Sequence, residues 1–300
     1  MSQTIAIAGA GGIGKYIVDA IVEQGKHKLI VLSRGTNQEL ADRGIDVRTV
    51  DYSSVSSLSD ALKGVDVVIS FIIEYGHGVN QPNLLEAAIA SGVKRLIPSE
   101  WAGDCEKFHE DAPALYDFKR EFREKLFKQD KIEYTLIANG LFMDYLQPKG
   151  TKKYLKDVPI PLNVEDRVAR IPGDGEAACT MTYAADIGKA VVKLVDDPRP
   201  WPRYTYINGA TFTWNQMIKW GEEATGEKIN VEYIPVEELE KALDAAKATG
   251  DPMQIFFADI SIRYAGDFLR LPQHPDPTLF QGVDFKQPKD LIFEWYGKKQ

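Results

Sequence analysis

A glycine-rich turn near the start of the chain constrains the fold most. Residues 9–14 match the pattern G-x-G-x-x-G, directly after a short apolar run at 4–8 and directly before apolar residues at helical spacing in 13–23. In such a strand–turn–helix unit the first glycine permits the tight turn, the second admits a phosphate close to the backbone, and the third allows close helix packing. Because a helix N-terminus favours an anion, the motif predicts that the turn binds a dinucleotide pyrophosphate.

The first half of the chain alternates short apolar runs with amphipathic segments. Such alternation predicts right-handed crossovers and a parallel sheet, and continuous apolar runs are typical of strands buried on both faces. The sequence therefore predicts an α/β chain with a doubly wound parallel sheet, the NAD(P)-binding Rossmann fold. The expected strands are 4–8, 28–33, 47–50, 65–70, 95–98 and 134–138, and the expected helices are 13–23, 57–62, 80–91 and 116–129.

The second half is less regular. Residues 146–180 suit loops and short strands, and the tail, which is rich in Pro, Asp and Phe, is expected to be mostly loop. Further expected elements are a helix at 186–195 with Asp186 as its N-cap, a strand at 204–207, and helices at 213–225 and 236–249. We expect a cofactor domain at 1–150, to which 181–208 return, and a smaller C-terminal substrate lobe formed by 151–180 and 209–300.

The residues after the second strand indicate which dinucleotide binds. An NAD site usually has an acidic residue there for the ribose 2′-hydroxyl, whereas this chain reads Ser33-Arg34-Gly35-Thr36-Asn37. Arg34 suits a 2′-phosphate, and the neighbouring hydroxyl and amide groups can add hydrogen bonds. The sequence therefore predicts NADP(H).

Composition excludes several classes of function. A net charge of −8 disfavours nucleic acid as a partner, and no apolar stretch of about twenty residues is present to span a membrane. Neither a signal peptide nor a disulfide framework or metal site is indicated, since the chain has two cysteines without metal-ligand spacing. We therefore expect a cytoplasmic protein. The four histidines are expected to be solvated: His27, His77, His109 and His274.

Several motifs resemble one family. They are IAIAGAGGIGKYIVDAI, DVVIS, VKRLIPSEW, FKREFREK and EYTLIANGLFMDY, in that order along the chain. Over residues 3–240 the chain resembles isoflavone reductase-like proteins, a group that includes pinoresinol–lariciresinol and phenylcoumaran benzylic ether reductases. That group belongs to the NmrA-like, atypical short-chain dehydrogenases. The variants SEW and GLFMDY of these motifs resemble those of fungal members more than those of plant members.

The resemblance implies a mechanism. A lysine on the helix after the P-S-E turn, here Lys119, acts as general acid–base and anchors the cofactor ribose, while NADPH gives a hydride to a phenolic, quinone-methide-like or enone substrate. Burial near a nicotinamide would lower the pKa of such a lysine towards neutrality, although a charged helix also suits a solvated face. Tyr116 lies three residues before Lys119 rather than four, so we interpret it as a pocket or core residue and not as the acid.

The expected site residues fall into two groups. The cofactor group comprises Gly9, Gly11, Gly12, Ile13, Gly14, Ser33, Arg34, Asn37, Ser70, Phe71, Gln81, Ser99, Lys119, Asn139, Gly140 and Phe142. The substrate pocket comprises Glu100, Trp101, Met143 and Tyr145, with Trp201 and Tyr204 as further candidates for an aromatic wall. Glu100 either orients a water or hydroxyl or caps a helix.

Three functions remain open at this point. The first is an NADPH-dependent reductase of a small aromatic substrate. The second is an NADP(H)-sensing regulator without catalysis, a class that tends to lack the helical lysine. The third is a non-redox enzyme on the same fold, because fold alone does not determine function. The presence of Lys119 favours the first. A monomer and a homodimer are equally compatible with the sequence.

Overall fold

The structure, a computed structural model, describes residues 1–74, 78–107 and 117–297. His77, His109 and Tyr116 therefore lie outside the described residues. In the first half, strands and helices alternate. They are β1 (Thr4–Ala8), α1 (Gly12–Gln24), β2 (Lys28–Ser33), α2 (Gln38–Asp42), β3 (Asp46–Thr49), α3 (Val55–Ala61), β4 (Val67–Ser70), α4 (Asn80–Ala90), β5 (Arg95–Ile97), α5 (Asp117–Phe127), β6 (Glu133–Tyr134) and β7 (Leu136–Ala138).

The main sheet has six parallel strands in the order β3-β2-β1-β4-β5-β6. Ile5 of β1 pairs with Leu29 of β2 on one side and with Val67 of β4 on the other. The strand order reverses between β1 and β4, and ligands bind outside the carboxyl ends of the strands at such a switch point. The predicted doubly wound Rossmann sheet is confirmed.

The second half adds two small sheets, β13-β11-β8 and β14-β10-β9, whereas β12 lies parallel to β7. Its elements are β8 (Leu141–Phe142), β9 (Leu162–Asn163), β10 (Val168–Pro172), β11 (Ala178–Thr182), α6 (Ala184–Asp196), β12 (Tyr204–Tyr206), β13 (Ala210–Thr213), α7 (Trp214–Thr225), β14 (Asn230–Ile234), α8 (Val236–Thr249), α9 (Pro252–Tyr264) and α10 (Pro288–Tyr296), with 3₁₀ turns at Met143–Leu146 and Asp267–Leu269.

Helices cover both faces of the main sheet. Alternate residues of β1 belong to two different cores: Ile5 and Ile7 pack on the side of α1 and α6, and Ala6 and Ala8 pack on the side of α3 and α4. Since side chains alternate across a strand, this division explains why β1 is apolar without interruption. A third core lies between the small sheets, α7 and α10.

The tail departs from the expectation of mostly loop, because it forms α9 and α10. Asp251 caps α9, with its Oδ1 accepting from the Met253 N–H at 2.9 Å, and Pro252 occupies the first turn. Pro288 takes the same place in α10. Proline is well suited to the first helical turn, where its missing N–H costs nothing. The two prolines therefore begin helices rather than prevent them.

Two polar residues also differ from expectation. Tyr183, not Asp186, is the N-cap of α6, and the buried Asp186 carboxylate accepts the Lys286 N–H at 2.8 Å, which ties the tail to α6. The His27 side chain is 1% exposed rather than solvated, and its Nε2 lies 3.0 Å from Asp196 Oδ1. Within the described ranges, the structure contains no helix with the length and apolarity that crossing a membrane requires.

Candidate active site

The glycine turn joins β1 to α1 at the switch point of the sheet. Gly9 has φ +89°, a region that favours glycine, and its N–H donates to the Leu32 carbonyl oxygen at 3.3 Å. A Cβ on Gly14 would lie 2.7 Å from the Gly9 carbonyl oxygen, whereas a Cβ on Gly11 would meet no described atom within 4 Å. A side chain would therefore clash at Gly14, whereas the space around Gly11 is free for a bound group.

The start of α1 is suited to an anion. The helix begins at Gly12 after Gly11, which offers no side-chain cap, and its first turn contains no acidic residue. The first N–H groups of a helix have no partner within it, and the helix dipole is positive at this end. A phosphate group fits this position, as the sequence motif predicts.

Two glycine substitutions separate folding from binding. Gly14→Ala forces a Cβ against the Gly9 carbonyl and the Phe71 ring, so we expect it to lower the free energy of unfolding by about 1–3 kcal/mol. Gly11→Ala meets open space, so we expect an unchanged melting temperature and an NADPH dissociation constant raised about 10- to 100-fold. Thermal unfolding and calorimetric titration measure the two effects. The opposite pattern would contradict these assignments.

The end of β2 presents an exposed arginine. Arg34 is exposed next to the Tyr52 phenol, whose hydroxyl donates to the Leu32 carbonyl oxygen at 2.9 Å. Asn37 caps α2 with its Oδ1, and Ser33 Oγ accepts the Gly35 N–H at 3.4 Å. The nearest acidic side chains in the sequence are engaged elsewhere, because Glu39 pairs with Lys15 and Asp42 accepts from Gln38.

A stacked aromatic pair connects the glycine turn to the next strand ends. The Phe71 and Trp101 rings lie 4.5 Å apart at 23°, and the Trp101 indole N–H donates to the Ser70 carbonyl oxygen at 2.7 Å. Trp101 has φ +38°, which is strained for a residue with a side chain. The hydrogen bond and the stack hold it there. Gln81 ties α4 to the end of β5, since its Oε1 accepts the Ser99 N–H at 2.9 Å.

The predicted catalytic lysine is buried in a charge cluster. The Lys119 ammonium donates to the Glu100 carbonyl oxygen at 2.8 Å, and its Nζ lies 4.0 Å from Glu100 Oε2. Its side chain is 14% exposed, and burial lowers the pKa of Lys119, with the Glu100 charge opposing this in part. The residue is therefore not part of a solvated face.

The Glu100 carboxylate is paired rather than exposed to a pocket. Arg123 donates to it with two groups, Nε to Oε1 at 3.0 Å and Nη2 to Oε2 at 3.2 Å, and with Nη1 to the Cys105 carbonyl oxygen at 3.1 Å. Glu100 and Arg123 are 4% and 1% exposed. Neither of the roles expected for Glu100, orienting a water or capping a helix, matches this pairing. The sequence interpretation missed Arg123, although it lies four residues after Lys119 on one helical face.

The segment after β7 forms another part of the site. Asn139 is fully buried, its Nδ2 donates to the Gly140 carbonyl oxygen at 2.9 Å, and its Oδ1 has no hydrogen-bond partner among the described residues. A Cβ on Gly140 would lie 2.1 Å from the Thr180 carbonyl oxygen, so only glycine fits there. Phe142 packs edge-on against Tyr145 at 5.6 Å.

A cavity of about 510 Å³ opens beside Trp101. Its walls are mostly apolar and come from the P-S-E turn, the segment after β7, residues 158–161, β10 and α9. They include Trp101, Ala102, Gly103, Gly140, Leu141, Phe142, Tyr145, Val158, Pro159, Ile160, Pro161, Phe256, Phe257, Ile260 and Tyr264. The contribution of α9 was not predicted, although its apolar residues recur at helical spacing after Asp251.

Two of the four predicted pocket residues line this cavity and two do not. Trp101 and Tyr145 are in its wall. Met143 is fully buried in the core between the small sheets, and the Glu100 carboxylate is bound to Arg123, so neither residue is in the wall of this cavity. The two further aromatic candidates also lie elsewhere: Trp201 packs under the Arg95 guanidinium, and Tyr204 of β12 pairs with Leu136 of β7.

Comparisons with known proteins agree with the fold and with the predicted class. Oxidoreductase BOA1 of Botryotinia fuckeliana is 34% identical over 234 residues, covering 76% of this chain and 77% of that protein. Phenylcoumaran benzylic ether reductase Pyrc5 of Pyrus communis is 29% identical over 261 residues, with 82% of each covered. The solved binary complex of leucoanthocyanidin reductase and NADPH from Vitis vinifera superposes with a TM-score of 0.77 at 22% identity, over 98% of this chain and 99% of that one.

These matches confirm the resemblance inferred from the motifs. The named relatives are an oxidoreductase and a reductase, in agreement with the predicted class, and the solved neighbour, a complex with NADPH, shares the fold. The model of the NmrA-like family matches residues 1–261. This chain therefore belongs to the NmrA-like family.

Proposed function

We propose that the chain is an NADPH-dependent reductase that delivers a hydride to a small aromatic substrate, with Lys119 as general acid–base. The observation that carries this proposal is the position of Lys119. Its buried ammonium bonds the carbonyl of Glu100, and the next residue, Trp101, lines the apolar cavity. A proton donor and an apolar pocket thus adjoin one short segment of backbone.

The residues present fit a dinucleotide. Gly11 and Gly12 would hold the pyrophosphate at the uncapped start of α1, and Arg34 would hold the 2′-phosphate. The Oδ1 of Asn139, which has no hydrogen-bond partner in the part of the chain that the structure describes, is an acceptor at the carboxyl end of β7. NADPH, when bound, supplies the hydride. The other predicted cofactor residues are Gly9, Ile13, Gly14, Ser33, Asn37, Ser70, Phe71, Gln81, Ser99, Lys119, Gly140 and Phe142.

Lys119 would move the proton that accompanies reduction. As the ammonium it gives a proton to the substrate oxygen, and as the amine it takes one from a phenol. A general acid is most efficient when its pKa lies near the working pH, and burial moves the pKa of Lys119 in that direction. The oxygen of a quinone-methide-like or enone substrate needs this proton once the hydride has been added, whereas a phenolic substrate gives its proton to the amine.

The cavity favours a flat apolar substrate. Aromatic and aliphatic side chains dominate its walls, with Trp101, whose ring stacks on Phe71, on one element and Phe256 and Phe257 contributed by α9. Pockets of this size and composition bind drug-sized apolar molecules and use few polar groups for orientation. The apolar walls suit an aromatic ring, and the charged cluster around Lys119 suits a single oxygen on that ring.

The proposal also assigns cofactor binding and substrate binding to different parts of the chain. We assign cofactor binding to residues 1–150 with 181–208, and substrate binding to 151–180 with 209–300. The pairing of β12 with β7 and the packing of α6 on α1 support the return of 181–208. We place the protein in the cytoplasm, as a monomer or homodimer, in keeping with its two buried thiols.

Calorimetric titration with NADPH and then NADH tests the proposal first. We expect tight binding of NADPH, weak binding of NADH, and consumption of NADPH with members of a panel of phenolic and quinone-like compounds. NADPH binding without turnover of any compound would favour a cofactor-sensing regulator. Binding of neither nucleotide would mean that the glycine turn is only structural, and both functions would then be wrong.

A further inference from the structure

The wall of the cavity contains one charged residue among those that the structure describes. That residue is Arg170 of β10, and the other members of the wall are apolar or carry hydroxyl groups. Pro172, two places further along the strand, also lines the cavity, whereas Ala169 and Ile171 are buried in the core on the other face. Since side chains alternate along a strand, Arg170 and Pro172 share the face of β10 that borders the cavity.

The guanidinium of Arg170 lies where the cavity meets solvent. Its side chain is 70% exposed, and its Nε donates to Glu232 Oε2 at 2.9 Å, in a pair whose glutamate is 62% exposed. In the part of the chain that the structure describes, no group accepts a hydrogen bond from its two Nη atoms. The planar fork of an arginine matches the two oxygens of a carboxylate. The Nη end of Arg170 can therefore bind an anion that enters the cavity.

The charges of the rest of the chain make Arg170 the decisive group for an anion. With a net charge of −8, the surface repels anions on average, so affinity for an acid must come from a local cation. No acidic residue is among the described members of the wall, and Glu232 lies outside it. An anionic ligand in the cavity therefore meets Arg170 as the one charge that the described wall presents to it.

We propose that Arg170 determines substrate specificity by binding a carboxylate, so that the substrate is an aromatic acid whose ring lies against the apolar walls. This inference rests on the proposed function and deepens it by naming the class of substrate. Arg170 belongs to β10, whereas Trp101, which adjoins the residue that Lys119 bonds, belongs to another wall. The carboxylate and the oxygen that exchanges a proton are therefore different groups of the substrate, attached at different positions.

Calorimetric titration of the full chain with matched pairs of phenols tests the inference. The pairs are 4-hydroxycinnamate with its amide and 4-hydroxybenzoate with its amide, titrated with and without saturating NADP⁺. Acid and amide share the ring and the shape, but only the acid is charged at about pH 7. We expect at least one acid to bind about 5-fold tighter than its amide or more, because the guanidinium forms charge-assisted hydrogen bonds with the carboxylate.

Arg170→Gln should remove this preference. We expect it to weaken binding of the acid about 5- to 20-fold and to leave binding of the amide unchanged. The Arg170–Glu232 pair is exposed, and exposed pairs contribute little to stability, so the melting temperature should stay the same. Glu232→Gln removes the carboxylate that shares the guanidinium, so we expect it to strengthen binding of the acid about 2- to 5-fold.

Arg167→Gln is the matched control. Arg167 directly precedes β10, is exposed, pairs with Glu227, and is not in the wall of the cavity. The substitution therefore removes the same charge from the same part of the surface without touching the cavity. We expect both the acid and the amide to bind as they do to the unmodified chain.

The outcomes separate this inference from the proposed function. A preference for the acid that is lost in Arg170→Gln alone, and raised in Glu232→Gln, supports the inference. Equal affinities of acid and amide in the unmodified chain, binding of neither, or an equal loss in Arg170→Gln and Arg167→Gln would overturn it. In each of those cases, consumption of NADPH with uncharged phenolic or quinone-like compounds would still support the reductase.

Discussion

Lys119→Ala is expected to reduce turnover by about 10²- to 10⁴-fold while NADPH still binds. The substitution removes the proposed proton donor, a buried ammonium that bonds the carbonyl of Glu100 at 2.8 Å, next in sequence to the cavity-lining Trp101. The glycine turn and Arg34 are not touched, so the main contacts to the nucleotide persist. Steady-state consumption of NADPH, with calorimetric titration of the same sample, measures both properties.

The pH dependence gives a second check on Lys119. In the reductive direction the general acid must be protonated, so the rate should fall as the pH rises through the pKa of Lys119. Burial lowers that pKa below its ordinary value of 10.5, and the fall should therefore occur at lower pH than for an exposed lysine. The residual activity of Lys119→Ala should lack this alkaline limb.

Lys125→Ala is the matched control for this experiment. Lys125 lies on the same helix, is exposed, and does not touch the Glu100 cluster in the described structure. We expect its activity and its pH profile to match those of the unmodified chain. If Lys119→Ala also retained full activity, the proton would come from another group and the assignment of the acid would be wrong.

The fold of the first half could be predicted from the sequence because its neighbouring sequence patterns indicate the same strand–turn–helix unit. The run at residues 4–8 is apolar on both faces, the glycines follow directly, and the next apolar residues recur at helical spacing. The structure places β1 and α1 there because each local preference is also satisfied by the packing. The tail is the opposite case. Proline interrupts a helix at interior positions, so the sequence does not predict the helices of the tail, but Pro252 and Pro288 each lie at the start of one.

The candidate site could be predicted from the sequence only in part, because some of its contacts join residues that are distant in the sequence. The helix sequence DFKREFREKLF carries so many charges that it resembles a solvated face. Both Lys119 and Arg123 bond Glu100, nineteen residues before the lysine, and no local sequence pattern shows that partner. The sequence also predicts that Met143 and Tyr145 both face the substrate pocket. The 3₁₀ turn at Met143–Leu146 instead directs Met143 into the core and Tyr145 to the cavity.

Arg34→Ala is expected to raise the NADPH dissociation constant about 10- to 100-fold, from the loss of charge-assisted hydrogen bonds of about 1.5–3 kcal/mol. NADH lacks the 2′-phosphate, so its affinity should change little. The physical basis is the exposure of Arg34 at the end of β2, where Glu39 and Asp42 are occupied by Lys15 and Gln38. Its charge is thus not neutralised by the acidic residues nearest to it in the sequence.

Lys28→Ala is the control for Arg34, because it removes one positive charge from the exposed opposite end of the same strand. A general loss of positive potential would weaken NADPH binding in both variants and would be screened by salt in both. A specific contact would appear in Arg34→Ala alone and would narrow the difference between NADPH and NADH. If the preference for NADPH stayed the same in Arg34→Ala, the 2′-phosphate would be recognised elsewhere, and the role assigned to Arg34 would be wrong.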